Sequence, residues 1–256
     1  MHRTLAVLAL LVAGLAAVPP AHAVSTCGGK PATLVFGDGN DVVTGTDGDD
    51  VVVLGGGDDV YQDDNGGDDT ICAGPGDDTV SAVSPGADVI DLGRGDDWAQ
   101  VWFGSRVTAG SGNDSVIAGY TSVVRGGPGR DELKSEIGSP RLLGGPGDDH
   151  LQIGLSTPTA YGGKGTDSVG FWFGDQAVRV DLARGRASSP EAGKMRVVGV
   201  EDVDGTAYAD VIRGNDAGNV LRGFGGDDQI YGRGGRDRAE GGSGRDTCVA
   251  EVRVTC

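Results

Sequence analysis

The chain has 256 residues and 38 acids, of which only six are Glu. The rest are Asp, whose short carboxylate reaches a cation from within a tight turn. Their spacing is regular. Asp41, Asp59, Asp78, Asp97, Asp114, Asp131, Asp149 and Asp167 stand 17 to 19 residues apart. Asp50, Asp69 and Asp88 fall midway between members of that series, and Asp210, Asn219, Asp228, Asp237 and Asp246 follow at intervals of nine. Nearly every one closes a glycine-rich segment. Turns of this kind expose carbonyl oxygens beside a carboxylate, which suits a hard divalent cation. Ca²⁺ accepts about six to eight oxygens in flexible geometry, whereas Mg²⁺ demands a tight octahedron and dehydrates reluctantly.

The carboxylates belong to repeats of nine. FGDGNDVVT opens the series at Phe36, followed by GTDGDDVVV and LGGGDDVYQ; AGPGDDTVS, LGRGDDWAQ, AGSGNDSVI, GGPGRDELK, GGPGDDHLQ and GGKGTDSVG come later. Residues 207–248 resume the pattern after the array of 36–170. These segments resemble the hemolysin-type, or RTX, nonapeptide G-G-x-G-x-D-x-U-x, in which U is a large aliphatic residue. The resemblance implies an all-β fold, a right-handed parallel β-roll or β-solenoid with several Ca²⁺ ions in its turns.

The residues lead to the same architecture. In each unit the x-U-x half reads as a very short strand with one inward side chain. Val43, Val52, Tyr61, Ile71, Val80, Ile90, Val116, Leu133, Leu151, Val169, Ile212, Leu221 and Ile230 lie two places after the Asp or Asn and are the expected core. The glycine half turns the chain through positive φ, which explains 49 glycines. Two units make one coil, and neighbouring coils pair in parallel. One apolar side chain per unit offsets little of the roughly 1–2 kcal/mol per residue of backbone entropy, and stacked aspartates repel. Cation binding answers both problems, because binding energy becomes folding energy.

Consecutive turns fall on opposite sides of such a coil. One side carries Asp41 through Asp167. The other begins with Asp50, Asp69 and Asp88, then loses its motif near Arg106, Val123, Pro140 and Pro158. From residue 98 to 170 the expectation is one cation-binding row facing a row of ordinary turns. With each ion shared by two successive turns, the first row holds up to seven and the second up to two. The later array allows up to two between Asp210, Asp228 and Asp246, and one between Asn219 and Asp237, where the neutral Asn weakens the site.

Other features set the context. His2 and Arg3, an apolar run from Leu5 to Val18, and Ala21-His22-Ala23 read as a secretory leader over residues 1–23. No other long apolar segment follows, so no membrane span is expected once the leader is removed. The chain is then expected to be secreted and extracellular. Cys27, Cys72, Cys248 and Cys256 allow three disulfide pairings, of which Cys27–Cys72 and Cys248–Cys256 are favoured because each pair lies near one end of the repeats. The expected organisation is a first array over 24–170, a degenerate β insert over 171–206 and a second array over 207–256 with a C-terminal disulfide cap. Within the insert, residues 177–182 and 195–203 alternate like strands, with a loop over 183–194.

The net charge of −17 argues for cations and against nucleic acid, since nothing offers a basic stripe. No H-E-x-x-H and no G-x-S-x-G occurs. His150, the one histidine beyond the leader, follows a repeat Asp and reads as an outward strand residue. Catalysis is therefore not expected. Trp98, Trp102, Phe103, Phe171, Trp172 and Phe173 either pack against degenerate coils or line a sugar-binding face. A carbohydrate-active or carbohydrate-binding solenoid and an extracellular adhesin remain alternatives, with an extracellular polysaccharide or cell-surface component as the partner in question.

Overall fold

A computed structural model describes residues 25–256 except 64, 157 and 173–175. The leader and Phe173 lie outside the described residues. Two parallel sheets face each other across a thin core, one of 12 strands and one of 14. Successive strands alternate between the sheets, so each coil contributes one strand to each. Strand Trp98–Val101 pairs in parallel with Thr79–Ala82 on one side and Ser115–Tyr120 on the other. Strand Arg106–Ser111 sits likewise in the opposite sheet between Val89–Arg94 and Val123–Arg125.

All the inward residues expected from the repeat are buried. The core is nevertheless thicker than one side chain per unit. Leu54, Ala73, Leu92 and Ala109 occupy the first position of their repeats and are also buried, as are Ala82, Val101, Ala118 and Ile153 two places after the expected column. Several strands run to six residues, as in Val89–Arg94, and turn two side chains inward rather than one. Glycine is required where backbones stack. Gly129 has φ +153°, and a Cβ there would run into the carbonyl oxygen of Gly112 in the adjacent coil.

The insert differs from expectation. Residues 183–194 are not simply a loop: a 3₁₀ turn at Leu182–Arg184 leads into strand Arg186–Ser189. That strand pairs antiparallel with Arg179–Asp181 and with Gly193–Val198. The second expected strand is split at Gly199, φ +61°. Gly193–Val198 pairs with Thr159–Lys164, whereas Asp202–Asp204 joins the other sheet beside Ser168–Phe171. A three-stranded antiparallel unit thus occupies the place of one strand, which accounts for the two extra strands of the larger sheet. Val178, Val180, Met195, Val197 and Val203 keep the core continuous through it.

Both favoured disulfides are present, Cys27–Cys72 and Cys248–Cys256, with Cα separations of 5.7 and 5.8 Å. The first ties the hairpin of Thr26–Cys27 and Lys30–Pro31 to strand Thr70–Pro75. Coiling also creates what the linear sequence hides: Arg106, Arg125, Arg141, Arg179, Arg186 and Arg196 are exposed on strands of the 14-stranded sheet.

Candidate metal sites

Along the ladder, each repeat carboxylate is held at the end of its turn by a backbone N–H of the preceding coil. Asp59 N–H donates to Asp78 Oδ1 at 2.8 Å, Asp78 to Asp97 at 2.8 Å and Asp97 to Asp114 at 2.9 Å. The ladder starts at Asp41 and continues through Asp131 and Asp149 to Asp167. Asp167 N–H then donates to Glu201 Oε2 at 3.0 Å, Asn219 Nδ2 donates to the Glu201 carbonyl at 2.7 Å, and Asn219 N–H donates to Asp237 Oδ1 at 3.0 Å. Asp237 N–H donates to Glu251 Oε2 at 2.8 Å. The first row therefore runs from Asp41 to Glu251 with its N–H-to-carboxylate pattern interrupted between Glu201 and Asn219, where the Asn219 amide donates to a carbonyl instead, and sequence reasoning missed both glutamates because neither sits in a glycine motif.

The second row is assembled from the same bonds but is interrupted. Asp50 N–H donates to Asp69 Oδ1 and Asp69 N–H to Asp88 Oδ1, at 2.9 and 3.0 Å. Asp88 N–H then meets Ser105 Oγ at 3.2 Å. The turn positions facing the motif are Ser105 and Ser122, one residue before the expected Arg106 and Val123, which begin strands. The row resumes when Val178 N–H donates to Asp210 Oδ1, followed by Asp210 to Asp228 and Asp228 to Asp246.

The two rows differ in their second carboxylate oxygen. Among the described residues, Oδ2 is buried without a hydrogen-bond partner in Asp59, Asp78, Asp97, Asp114, Asp131, Asp149, Asp167, Asp228 and Asp237. All but Asp228 are in the first row. Elsewhere in the second row, at Asp50, Asp69, Asp88 and Asp210, that oxygen is satisfied. Asp50 Oδ2 accepts from Thr46 N–H and Oγ1, at 2.8 and 2.9 Å; Asp69 Oδ2 from Tyr61 Oη at 2.9 Å; Asp88 Oδ2 from Ser105 Oγ at 3.2 Å. Asp210 takes Thr206 N–H and Oγ1 at 2.6 and 2.9 Å. Asn219, in the first row, is satisfied too: its Oδ1 accepts from Asn215 N–H at 2.9 Å.

A buried oxygen with no partner is costly, and burial dominates the acidity of these groups. It pushes Asp97, Asp131 and Asp228 up to about 7 and Asp78, Asp88 and Asp167 up to about 6. Carboxylates on adjacent coils push the same way, while the backbone N–H in each ladder opposes them. Tyr61 is raised by burial and by Asp69.

The donor set fits calcium. A Cβ on Gly126 would run into Asp131 Oδ2 and stand 2.8 Å from the Gly144 carbonyl of the next coil. Gly144 repeats this with Asp149 and with the Gly162 carbonyl at 2.8 Å. A carboxylate oxygen and a carbonyl from successive coils thus border one small space. Among the described residues no three acidic, imidazole or thiol side chains converge on one point, so any ion must be shared between carboxylates and carbonyls. Oxygen-only, mixed donor sets of this kind match Ca²⁺ rather than Zn²⁺.

A second ladder, also missed, runs in the opposite direction along the residue before each repeat Asp. Asp77 N–H donates to Asp58 Oδ1 at 3.1 Å, Asp96 to Asp77 at 2.8 Å, and Asn113 to Asp96 at 2.6 Å. The Asp-Asp doublets were the signal for it.

The aromatic residues do not form one cluster. Trp98 lies on the 12-stranded sheet, and Phe171 is buried in the core. Trp102 and Phe103 join Tyr120 at the interrupted row, with the Phe103 and Tyr120 rings stacked at 4.9 Å. Trp172 lies under Lys134, whose Nζ is 3.8 Å from the ring centre. His150 faces outward, with Nδ1 2.7 Å from Ser168 Oγ of the next coil, a pair that bridges two coils.

No curated protein matches the chain. The family model for the RTX calcium-binding nonapeptide repeat (4 copies) matches residues 37–61, 63–81, 84–99, 204–239 and 214–248. It stops where the second row loses its aspartates and starts again where they return.

Proposed function

The chain belongs to the family of RTX calcium-binding nonapeptide repeat proteins and is a calcium-binding β-roll; from that premise we propose that it is a secreted, non-catalytic protein whose coil closes only when Ca²⁺ is bound along its first turn row. The observation that carries this reading is the file of buried Oδ2 atoms without partners, eight of the nine on that row. Asp59, Asp78, Asp97, Asp114, Asp131, Asp149 and Asp167 would hold the ions, together with carbonyls of the glycine turns. Asp41 stands at one end of this file, with Glu201 and Asp237 beyond the other. Asp228 and Asp246 form the best candidate pair on the second row. Asp50, Asp69, Asp88, Asp210 and Asn219 contribute less, because Thr46, Tyr61, Ser105, Thr206 and Asn215 already occupy their oxygens.

Bound Ca²⁺ supplies positive charge between carboxylates that otherwise repel. The chain's own residues do the rest: the N–H ladder fixes each carboxylate, the glycines let backbones stack, and the inward aliphatics exclude water. Affinities of about 10⁻⁴–10⁻³ M are sufficient outside cells. Two disulfides and the leader-like start support export. The test is circular dichroism and thermal melting of the full chain with Ca²⁺ and with chelator. Loss of most β-sheet signal on chelation is the expected result; unchanged signal and melting temperature would overturn the reading.

A further inference from the structure

The 14-stranded sheet carries a face that calcium binding does not explain. Arg106, Arg125, Arg141, Arg179, Arg186 and Arg196 are exposed on neighbouring strands, and none forms an ion pair with a described carboxylate. The antiparallel insert sharpens the clustering by placing Arg186 directly beside Arg196 in register. Asp181, the acid at this place in the sheet, is already paired with Arg184 and Arg233, which hold its carboxyl below the usual range. A groove of about 810 Å³ lies here, lined by Thr159, Arg179, Arg186, Lys194, Arg196 and Arg213. From the strand of Arg106 to that of Arg213 the stripe crosses seven strand spacings, about 34 Å at ~4.8 Å each. Free cations gathered on one face of a chain of net charge −17 call for an anionic occupant.

The surroundings narrow its class. One edge of the stripe is the first turn row, with exposed carboxylates such as Asp96 and Asp148; the other, between residues 98 and 170, is the interrupted row with Phe103 and Tyr120. The basic strip is only one short strand wide. A bilayer or a nucleic acid duplex would overlie the acidic edge, whereas a single slender chain lies within the strip. Single-stranded nucleic acid binds by stacking bases on open aromatic faces. Here Tyr161 lies between the guanidiniums of Arg141 and Arg196, at 6.0 and 5.7 Å, and Arg213 is 5.4 Å from the Tyr231 ring centre. Planar guanidiniums repeated along a line match carboxylates repeated along a polymer, since each pairs with a carboxylate through two parallel bonds.

We propose that this arginine stripe binds one chain of a carboxylated polysaccharide laid across the strands. The proposal uses the calcium-binding reading only in requiring a folded coil, so folding is checked separately in every arm. The probe is hyaluronate, tested by biolayer interferometry with the full, Ca²⁺-loaded chain over a range of salt, beside neutral dextran, a poly-dT oligonucleotide and phosphatidylglycerol vesicles. Expected are binding to hyaluronate that weakens steeply with salt and none to dextran. The triple variant Arg141→Gln, Arg186→Gln, Arg196→Gln is expected to lose about tenfold or more in affinity, with dichroism and Ca²⁺-dependent melting unchanged. Lys134→Gln, on the opposite sheet, is expected to bind as the parent does. Equal binding by the triple variant, equal binding to dextran, or stronger binding to the oligonucleotide or vesicles would overturn the proposal. If the triple variant melts differently, the single variants Arg141→Gln and Arg196→Gln replace it and must each weaken binding.

Discussion

Between residues 98 and 170 the same coils make both turn rows, yet the rows solve the problem of reversing the chain in different ways. On one side Asp114, Asp131, Asp149 and Asp167 each bury an oxygen without a partner. On the other, Ser105 and Ser122 close tight turns with N–H donated to the carbonyls of Trp102 and Gly119 at 3.3 and 3.2 Å. Phe103 and Tyr120 take the left-handed conformation there, at φ +54° and +49°, which glycine takes in the motif. Side-chain and backbone hydrogen bonds satisfy one row within the protein; the other keeps buried carboxylate oxygens without partners, which the proposed function assigns to a cation. On the proposed function, a coil needs a cation-binding turn on only one of its two sides.

The largest effect that sharpens this contrast is expected from the stacked glycines. Gly129→Ala places a Cβ against the Gly112 carbonyl at φ +153° and should cost about 3 kcal/mol or more. Gly104→Ala in the interrupted row meets only Thr121 Oγ1, at 3.2 Å and φ +91°, and should cost about 1–2 kcal/mol from strain alone. Thermal melting in Ca²⁺ compares them, and equal losses would break the distinction between the rows.

Next comes a change whose sign depends on calcium. Asp131→Asn removes a ligand charge when Ca²⁺ is present and a repulsion when it is absent. It should lower stability by about 2 kcal/mol in Ca²⁺, roughly 5 °C in melting temperature, and leave the chelated protein unchanged or more stable. Ser122→Ala on the facing row should show no such reversal; a loss of Ca²⁺ stoichiometry in that variant would contradict the assignment.

Acidity gives a third contrast. Without Ca²⁺ the buried first-row carboxyls bind protons more readily in the coil than in the unfolded chain, reaching about 7 for Asp97 and Asp131. The folded state then holds more protons, so stability is greatest below about pH 4, the ordinary carboxylate value, and is lost as pH rises through about 7. The chelated protein, unfolded at pH 8, should regain β-sheet signal and a melting transition at pH 5. With Ca²⁺ the order reverses, because protons compete for the same oxygens. Melting curves at the two pH values, with and without chelator, check the crossing.

The smallest effect belongs to the aromatic edge. Tyr120→Ser unstacks Phe103 on an exposed surface and should change stability by only about 0.5 kcal/mol, with Ca²⁺ stoichiometry intact by titration calorimetry.

Much of the fold is legible in the chain because the repeat couples its parts: an Asp at fixed phase announces both the turn before it and the inward aliphatic two places after it. That rule located Val43 through Ile230. It failed where a residue acts without its motif. Glu201 and Glu251 continue the ladder on longer side chains, and Thr46 and Thr206 satisfy a carboxylate from the position normally held by glycine, a substitution visible in GTDGDD and GTAYAD. Leu54 and Leu92 thicken the core from that repeat's first position, for the same reason invisible to a glycine consensus. The antiparallel unit of 179–198 was beyond reach, because its middle strand, Arg-Ala-Ser-Ser, carries little of the apolar alternation that marks a strand. The basic stripe was beyond reach for another reason: its arginines are far apart in sequence and meet only through coiling.

The most direct measurement is a crystal structure of the Ca²⁺-loaded protein with anomalous scattering from calcium. The account predicts peaks between successive turns from Asp114 to Asp167 and none beside Ser105, Ser122, Pro140 and Pro158. Peaks of equal height along both rows in that stretch, or none along the first, would contradict it.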